Sequence, residues 1–354
     1  MNNITAIIIL ITIFIFSLPA CKEKKVVAKA DFIIGTGQMP DIVTGKGGNL
    51  HLVFGVGDSI MYASSGDKGA SFSRPSLVAV LPGLFSFATR GPQIAASGNE
   101  VIITAATSKG NIYSYYRENG SWKQGRMVND VDTIAKEGLI ALSADGQNAF
   151  AVWLDLRGNR RNKIYGASSG DGGRSWSKNK MIYTSPDTSV CQCCKPSVII
   201  RENNVYVMFR NWLKGDRDLY LISSSDAGAS FGQAQKLGAG TWELDGCPMD
   251  GGSLAVNKNG EVQTVWRRKA KIYAAIPGMP ENEIGEGRSC TMGLVNNRNV
   301  YAWSANEEVI CSLPGGQKEV LGKGGQPVVT APDNEHVICV WEEEKQIHAA
   351  VLVL

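Results

Sequence analysis

Ser169-Gly170-Asp171-Gly172-Gly173-Arg174-Ser175-Trp176 is one of three copies of a single pattern, Ser-x-Asp-x-Gly-x-x-aromatic. The others run Ser65-Gly66-Asp67-Lys68-Gly69-Ala70-Ser71-Phe72 and Ser224-Ser225-Asp226-Ala227-Gly228-Ala229-Ser230-Phe231. Each position has a physical task. The Ser and Asp oxygens accept hydrogen bonds from the turn's own backbone, Gly supplies positive φ, and the aromatic folds back as a plug. Such a turn closes a β-hairpin, so its recurrence marks a repeated sheet unit. A degenerate copy, Tyr116-Arg117-Glu118-Asn119-Gly120-Ser121-Trp122, falls near the middle of the long gap between the first two copies.

The pattern resembles the Asp box of the sialidase superfamily and of other proteins with BNR-type repeats. The resemblance covers the repeat framework from about residue 31 to the C-terminus and implies a β-propeller. It is specific for blade architecture and weak for activity, because such boxes are structural turns in enzymes and non-enzymes alike. Composition agrees with an all-β body: 40 Gly, 19% charged residues, many Val/Ile/Tyr/Trp segments and no long helical periodicity.

Seven units can be counted, each an apolar strand, a turn, a second apolar strand, a loop and a third strand often opening Ile-Tyr. Their second strands are Leu50 to Phe54, Val101 to Ala105, Ala149 to Leu154, Val205 to Phe209, Val262 to Trp266, Val300 to Trp303 and Val337 to Trp341. The seventh unit ends with the chain and lacks a fourth strand, which Asp31-Phe32-Ile33-Ile34 is expected to supply from the N-terminus. That closure removes free sheet edges. Seven blades are therefore favoured over six, the number that sialidase-type enzymes use.

Residues 1–20 read as a lipoprotein signal peptide. Ile4 to Phe16 is apolar apart from Thr5 and Thr12, and Ser17-Leu18-Pro19-Ala20-Cys21 forms a lipobox-like end. Cys21 is the expected lipidation site and residues 21–30 a solvated tether to the membrane. Residues 31–354 then form one propeller domain. The expected location is the cell envelope, lipid-anchored, in an oxidising compartment. A net charge of +3 gives no reason to expect a nucleic-acid partner.

Propeller connectivity puts the 1–2 and 3–4 turns on one side of the disc, with the 2–3 loops and blade-to-blade crossovers on the other. The crossover side gathers Arg90, Glu137, Cys191, Cys193, Cys194, Cys247, Asp250, Arg210, Trp212, Arg267 and Asp155. Cys191-Gln192-Cys193-Cys194 precedes unit 4 and Cys247 precedes unit 5, so neighbouring blades set these sulfurs side by side. With Met249 near, they suit copper or zinc as a cofactor. Export equally favours disulfides, for example Cys193 to Cys247, and redox-active or free thiols are the third option. Cys311 and Cys339 lie inside apolar strands and read as core.

Guanidinium groups bind carboxylates bidentately, so arginines around one funnel point to an anionic ligand. Sialidases hold the substrate carboxylate with an arginine triad. Arg90-Gly91-Pro92 is similar to the motif of its first member, with Gly91 where the motif has Ile, and Arg210 and Arg267 are candidates for the others. Asp155 is the candidate acid and Glu137 the candidate base. Trp212 offers a stacking face for a sugar, and Asp250 a polar contact. No segment reproduces the sialidase Tyr nucleophile backed by Glu. Three functions follow as expectations: an anionic-glycan binder or hydrolase in the central funnel, a Cys-thiolate metal lipoprotein, and a non-catalytic interaction scaffold.

Overall fold

The computed structural model describes residues 31–98, 100–187 and 189–354, with the backbone of 27–28. The expected signal segment, Cys21 as the expected lipidation site and most of the expected tether lie outside the described residues.

Alternating apolar runs fold into seven antiparallel sheets arranged as blades around an axis, with no α-helix among the described residues. The innermost strands are Gln38–Thr44, Gln93–Ser97, Ile140–Asp145, Ser197–Arg201, Gly252–Val256, Arg288–Val295 and Gly325–Thr330. Second strands carry the largest buried side chains, among them Trp153, Trp266, Trp303 and Trp341. Burying each indole removes a large apolar area from water, which is the main force holding blade against blade.

The expected closure is present. Phe32–Thr36 pairs antiparallel with the final strand, Gln346–Val353, through Phe32 opposite Ala349 and Thr36 opposite Gln346. The seventh blade is thus built from both ends of the chain, and the ring has no gap. Inner strands are stitched by side chains as well as packing. Asp41 Oδ2 accepts from the Ile94 amide at 2.9 Å, Ser143 Oγ from Ile200 at 3.1 Å, and Ser253 Oγ from Met292 at 3.3 Å.

The three Ser-x-Asp-x-Gly segments share one geometry. In the first, Ser65 Oγ donates to Asp67 Oδ1 at 2.7 Å and accepts from the Gly69 amide at 2.9 Å. Asp67 also accepts from the amide and hydroxyl of Ser71, at 3.0 and 2.6 Å. The same contacts recur about Asp171 and Asp226. The box also joins blades. A Cβ on Gly69, Gly173 or Gly228 would stand 2.6, 2.6 or 2.2 Å from Ile338, Ile102 or Phe150 of the preceding blade. Glycine is therefore required twice over, for its φ near +80° and for its lack of a side chain. The degenerate copy is a two-residue Asn119-Gly120 hairpin, both residues at positive φ, whose Trp122 packs edge-on to Tyr62 at 5.1 Å.

Candidate functional site

Bulges shape the crossover end of the axis. In blades 1, 6 and 7 the inner strand shifts register between Gln38 and Asp41, Arg288 and Thr291, and Gly325 and Val328. Met39, Ser289 and Gln326 take positive φ there. A bulge re-aims the side chains around it. These residues, with Asp41, Lys195 and Asp250, line an axial cavity of about 470 Å³ walled by all seven inner strands.

Lys195 is the cation of that lining, and Asp41 and Asp250 are its carboxylates. Both Asp41 and Lys195 are half-buried where they line the cavity. Burial raises the Asp41 pKa against the charge of Lys195, and burial lowers the Lys195 pKa against that of Asp41. The Asp250 carboxyl is also raised by burial, opposed by the Ser289 amide and by Arg210 and Arg267.

Beside this mouth lies the sulfur cluster. The crossover Ser189–Val190 pairs with Asn211 and Trp212, and the Cys191 amide donates to the Arg210 carbonyl at 2.9 Å. This pins the Cys191-to-Cys194 turn against the second strand of blade 4. Cys193 is disulfide-bonded to Cys247, while Cys191 and Cys194 are free. Cys191 Sγ lies 3.3 Å from Cys194 Sγ and 3.7 Å from Cys193 Sγ. Arg217 Nη1 donates to Cys191 Sγ at 3.2 Å, and Cys191 Sγ in turn donates to Cys194 Sγ. The hydrogen bond with Cys194 and the charges of Arg210 and Arg217 outweigh burial, and bring the Cys191 thiol down to about 6. Its partner Cys194 moves the other way, raised well above 9 by burial and by Cys191.

The structure brings together the four cysteines, Asp250, Arg210 and Arg267 as the sequence led us to expect, but it occupies several of them. Arg210 is 2% exposed and spends its donors on the carbonyls of Asp250, Arg217 and Arg267. Arg267 donates to the Pro248 carbonyl and, at 3.4 Å, to Asp250 Oδ2; both arginines face the Trp242 ring at 5.3 Å. These two guanidiniums bind the crossovers together rather than presenting a free fork. Arg90 is held by the carbonyls of Glu137 and Ala88, with the Glu137 carboxylate 3.9 Å away. The acid–base pair is likewise engaged. Asp155 is 0% exposed, clasped by Arg157 Nε and Nη2 at 2.9 Å each and by the Trp153 indole. Neither Asp155 nor Glu137 lines the cavity. Trp212 lies beneath the Arg217 guanidinium at 4.3 Å, a cation–π contact on one face.

The four-thiolate metal set is corrected by the disulfide, which consumes Cys193 and Cys247; Cys191, Cys193 and Cys194 remain within 4.8 Å of one another. Cys311 and Cys339 are fully buried core residues. Sequence reading placed Ser289 on this face without a role, and gave Asp41 and Gln326 no place in the site. Their one signal was a glycine two residues ahead of each bulge, at Gly37, Gly287 and Gly324.

The fold and face define a seven-bladed β-propeller whose crossover loops surround one axial mouth. No protein-family model matches the sequence, and no curated protein matches it either. Among solved structures, the chain is similar to an α-L-arabinofuranosidase from Fusarium graminearum in complex with an iminosugar inhibitor. That match has 12% identity, covers 92% of this chain and 98% of that one, and has a TM-score of 0.56. It is similar too to virginiamycin B lyase from Staphylococcus aureus (10% identity, 93% and 100% covered, TM-score 0.55). A third is Trypanosoma rangeli sialidase with the inhibitor DANA (12% identity, 91% and 55% covered, TM-score 0.51). At these identities the likeness establishes the propeller fold; activity has to be argued from the site.

Proposed function

We propose that the protein is a lipid-anchored cell-envelope propeller that binds a carbohydrate at the axial mouth and does not hydrolyse it. The observation that carries this reading is the cavity lining: two carboxylates, one ammonium and the polar Ser289 and Gln326, set in inner strands that are otherwise mostly apolar. Convergent polar groups in a concave, mainly apolar site are the usual form of a small-ligand pocket. Carboxylates and amides suit sugar hydroxyls, and Lys195 supplies the counter-charge for an anionic glycan. Propeller neighbours crystallised with an iminosugar and with DANA support a sugar-like ligand. Binding without turnover is supported by Asp155 and Glu137, the expected acid and base, whose carboxylates lie outside the cavity with Asp155 locked to Arg157.

The test is titration of an oligosaccharide panel, neutral and acidic, against the protein, beside a fluorogenic glycoside panel. Acidic oligosaccharides are expected to bind, with about tenfold weaker affinity in Lys195→Met, as the loss of one charge-assisted contact implies. No binding by any panel member overturns the reading. Turnover of any glycoside in the panel by the wild-type protein overturns its non-hydrolytic part.

A further inference from the structure

The sulfur cluster has no part in a carbohydrate site, and its arrangement is that of a chemical relay. Cys191 and Cys194 form a Cys-x-x-Cys pair, 0% and 2% exposed, so no external molecule reaches either. Cys193 sits inside that pair at 3.7 Å from Cys191 and is bonded to Cys247. Cys247 is exposed on the neighbouring crossover. The four sulfurs therefore make a continuous path from a buried dithiol to the surface. Arg217, 3.2 Å from the Cys191 sulfur, favours the thiolate, the form that attacks disulfides.

We propose that Cys191 and Cys194 are a redox dithiol that reduces an external disulfide through the Cys193–Cys247 bridge. The Cys191 thiolate attacks Cys193 Sγ, the Cys193–Cys247 bond breaks, a Cys191–Cys193 bond forms, and the electron pair leaves on Cys247. Exposed Cys247 then attacks the external disulfide, forming a mixed disulfide and expelling one thiolate. Cys194 attacks Cys191 and releases Cys193, its proton passing through solvent to the expelled thiolate. Cys193 attacks Cys247, restores the original bridge and expels the second external thiolate, which solvent protonates. The sum is a Cys191–Cys194 disulfide and two external thiols. Two electrons have moved from the buried pair to the external disulfide, and no other reductant is needed.

The experiment exposes the full-length protein to oxidised glutathione, followed by alkylation, thiol counting and peptide mapping by mass spectrometry. Wild type is expected to lose the Cys191 and Cys194 thiols and to release reduced glutathione, with the Cys193–Cys247 bridge retained. Cys194→Ser is expected to stop halfway, with glutathione on Cys247 and a Cys191–Cys193 bridge. Cys191→Ser is expected to lose the reaction altogether; near-ultraviolet circular dichroism checks its fold. Unchanged thiols in wild type, or glutathione on Cys247 in Cys191→Ser at the yield seen in Cys194→Ser, would overturn the relay. So would stoichiometric zinc or copper retained by the reduced protein with no disulfide turnover. Glycan binding is independent of every one of these outcomes.

Discussion

Arg217 ties Cys191 to the crossover that carries Cys247: its Nη1 donates to the Cys191 sulfur at 3.2 Å and its Nε to the Leu244 carbonyl at 3.1 Å. One planar side chain, 4% exposed, thus sets the relative position of two blade junctions. Lysine keeps the charge and loses the fork. Arg217→Lys is expected to destabilise the protein by about 1–3 kcal/mol, the cost of leaving buried acceptors unpaired, as read by denaturant unfolding. Wild-type stability in this variant would show that the two junctions are held by other contacts.

Gly251 is the backbone counterpart of that clasp. A Cβ there would lie 2.3 Å from the Lys195 carbonyl oxygen, a contact that only backbone movement relieves. Gly251→Ala is expected to cost roughly 1–3 kcal/mol, the range for overpacking a tight site. It is also expected to weaken ligand binding by displacing Lys195 from the cavity mouth. Thermal melts and titration of the same sample separate the two effects.

Acid should act on the repeated turns. Hydrogen bonds from the Ser71 hydroxyl and amide and from Ser65 lower the Asp67 carboxyl from 3.8 to about 2. A depressed carboxylate binds fewer protons when folded, so its contribution is present above pH 3.8 and is lost as pH falls through about 2. Asp226 is displaced in the same direction by Ser224 and Ser230. The stability gap between wild type and Asp67→Asn is expected to be constant above pH 5 and to shrink below pH 4. A gap that widens in acid would contradict the assignment.

His51 gives a second pH signature with a different window. Burial, helped by Arg117, lowers it from 6.5 to about 4, and its Nδ1 meets the Tyr62 hydroxyl at 2.7 Å. Arg117 donates to that hydroxyl at 3.2 Å, so the Tyr62 proton points to a neutral imidazole. A depressed histidine stabilises above its unfolded value and ceases to do so as pH falls from 6.5 to 4. Wild-type melting temperature is expected to fall across that interval more steeply than that of His51→Gln.

Much of the fold was legible because each blade repeats local chemistry. The Ser-Asp-Gly turns, the Ile-Tyr third strands and the spare N-terminal strand each carry a sequence signature, and the connectivity rule then assigns loops to faces. Part of the cysteine cluster was legible for the same reason, since crossovers from adjacent blades must meet. The fate of the arginines was not. Arg210 and Arg90 satisfy themselves on backbone carbonyls, and a carbonyl has no identity in sequence. The Asp155–Arg157 clasp was spaced closely enough to be read, but its complete burial depends on packing around Trp153. The polar cavity mouth depends on bulges, which shift a register by one residue and leave little trace beyond a preceding glycine.

Peptide mapping of the unreduced, alkylated protein bears most directly on the convergence of blades 4 and 5. A Cys193–Cys247 cross-linked peptide is predicted, with Cys191 and Cys194 recovered as alkylated thiols. Recovery of Cys247 unbridged, or bridged to any cysteine outside the 191–194 turn, would contradict the meeting of these two crossovers.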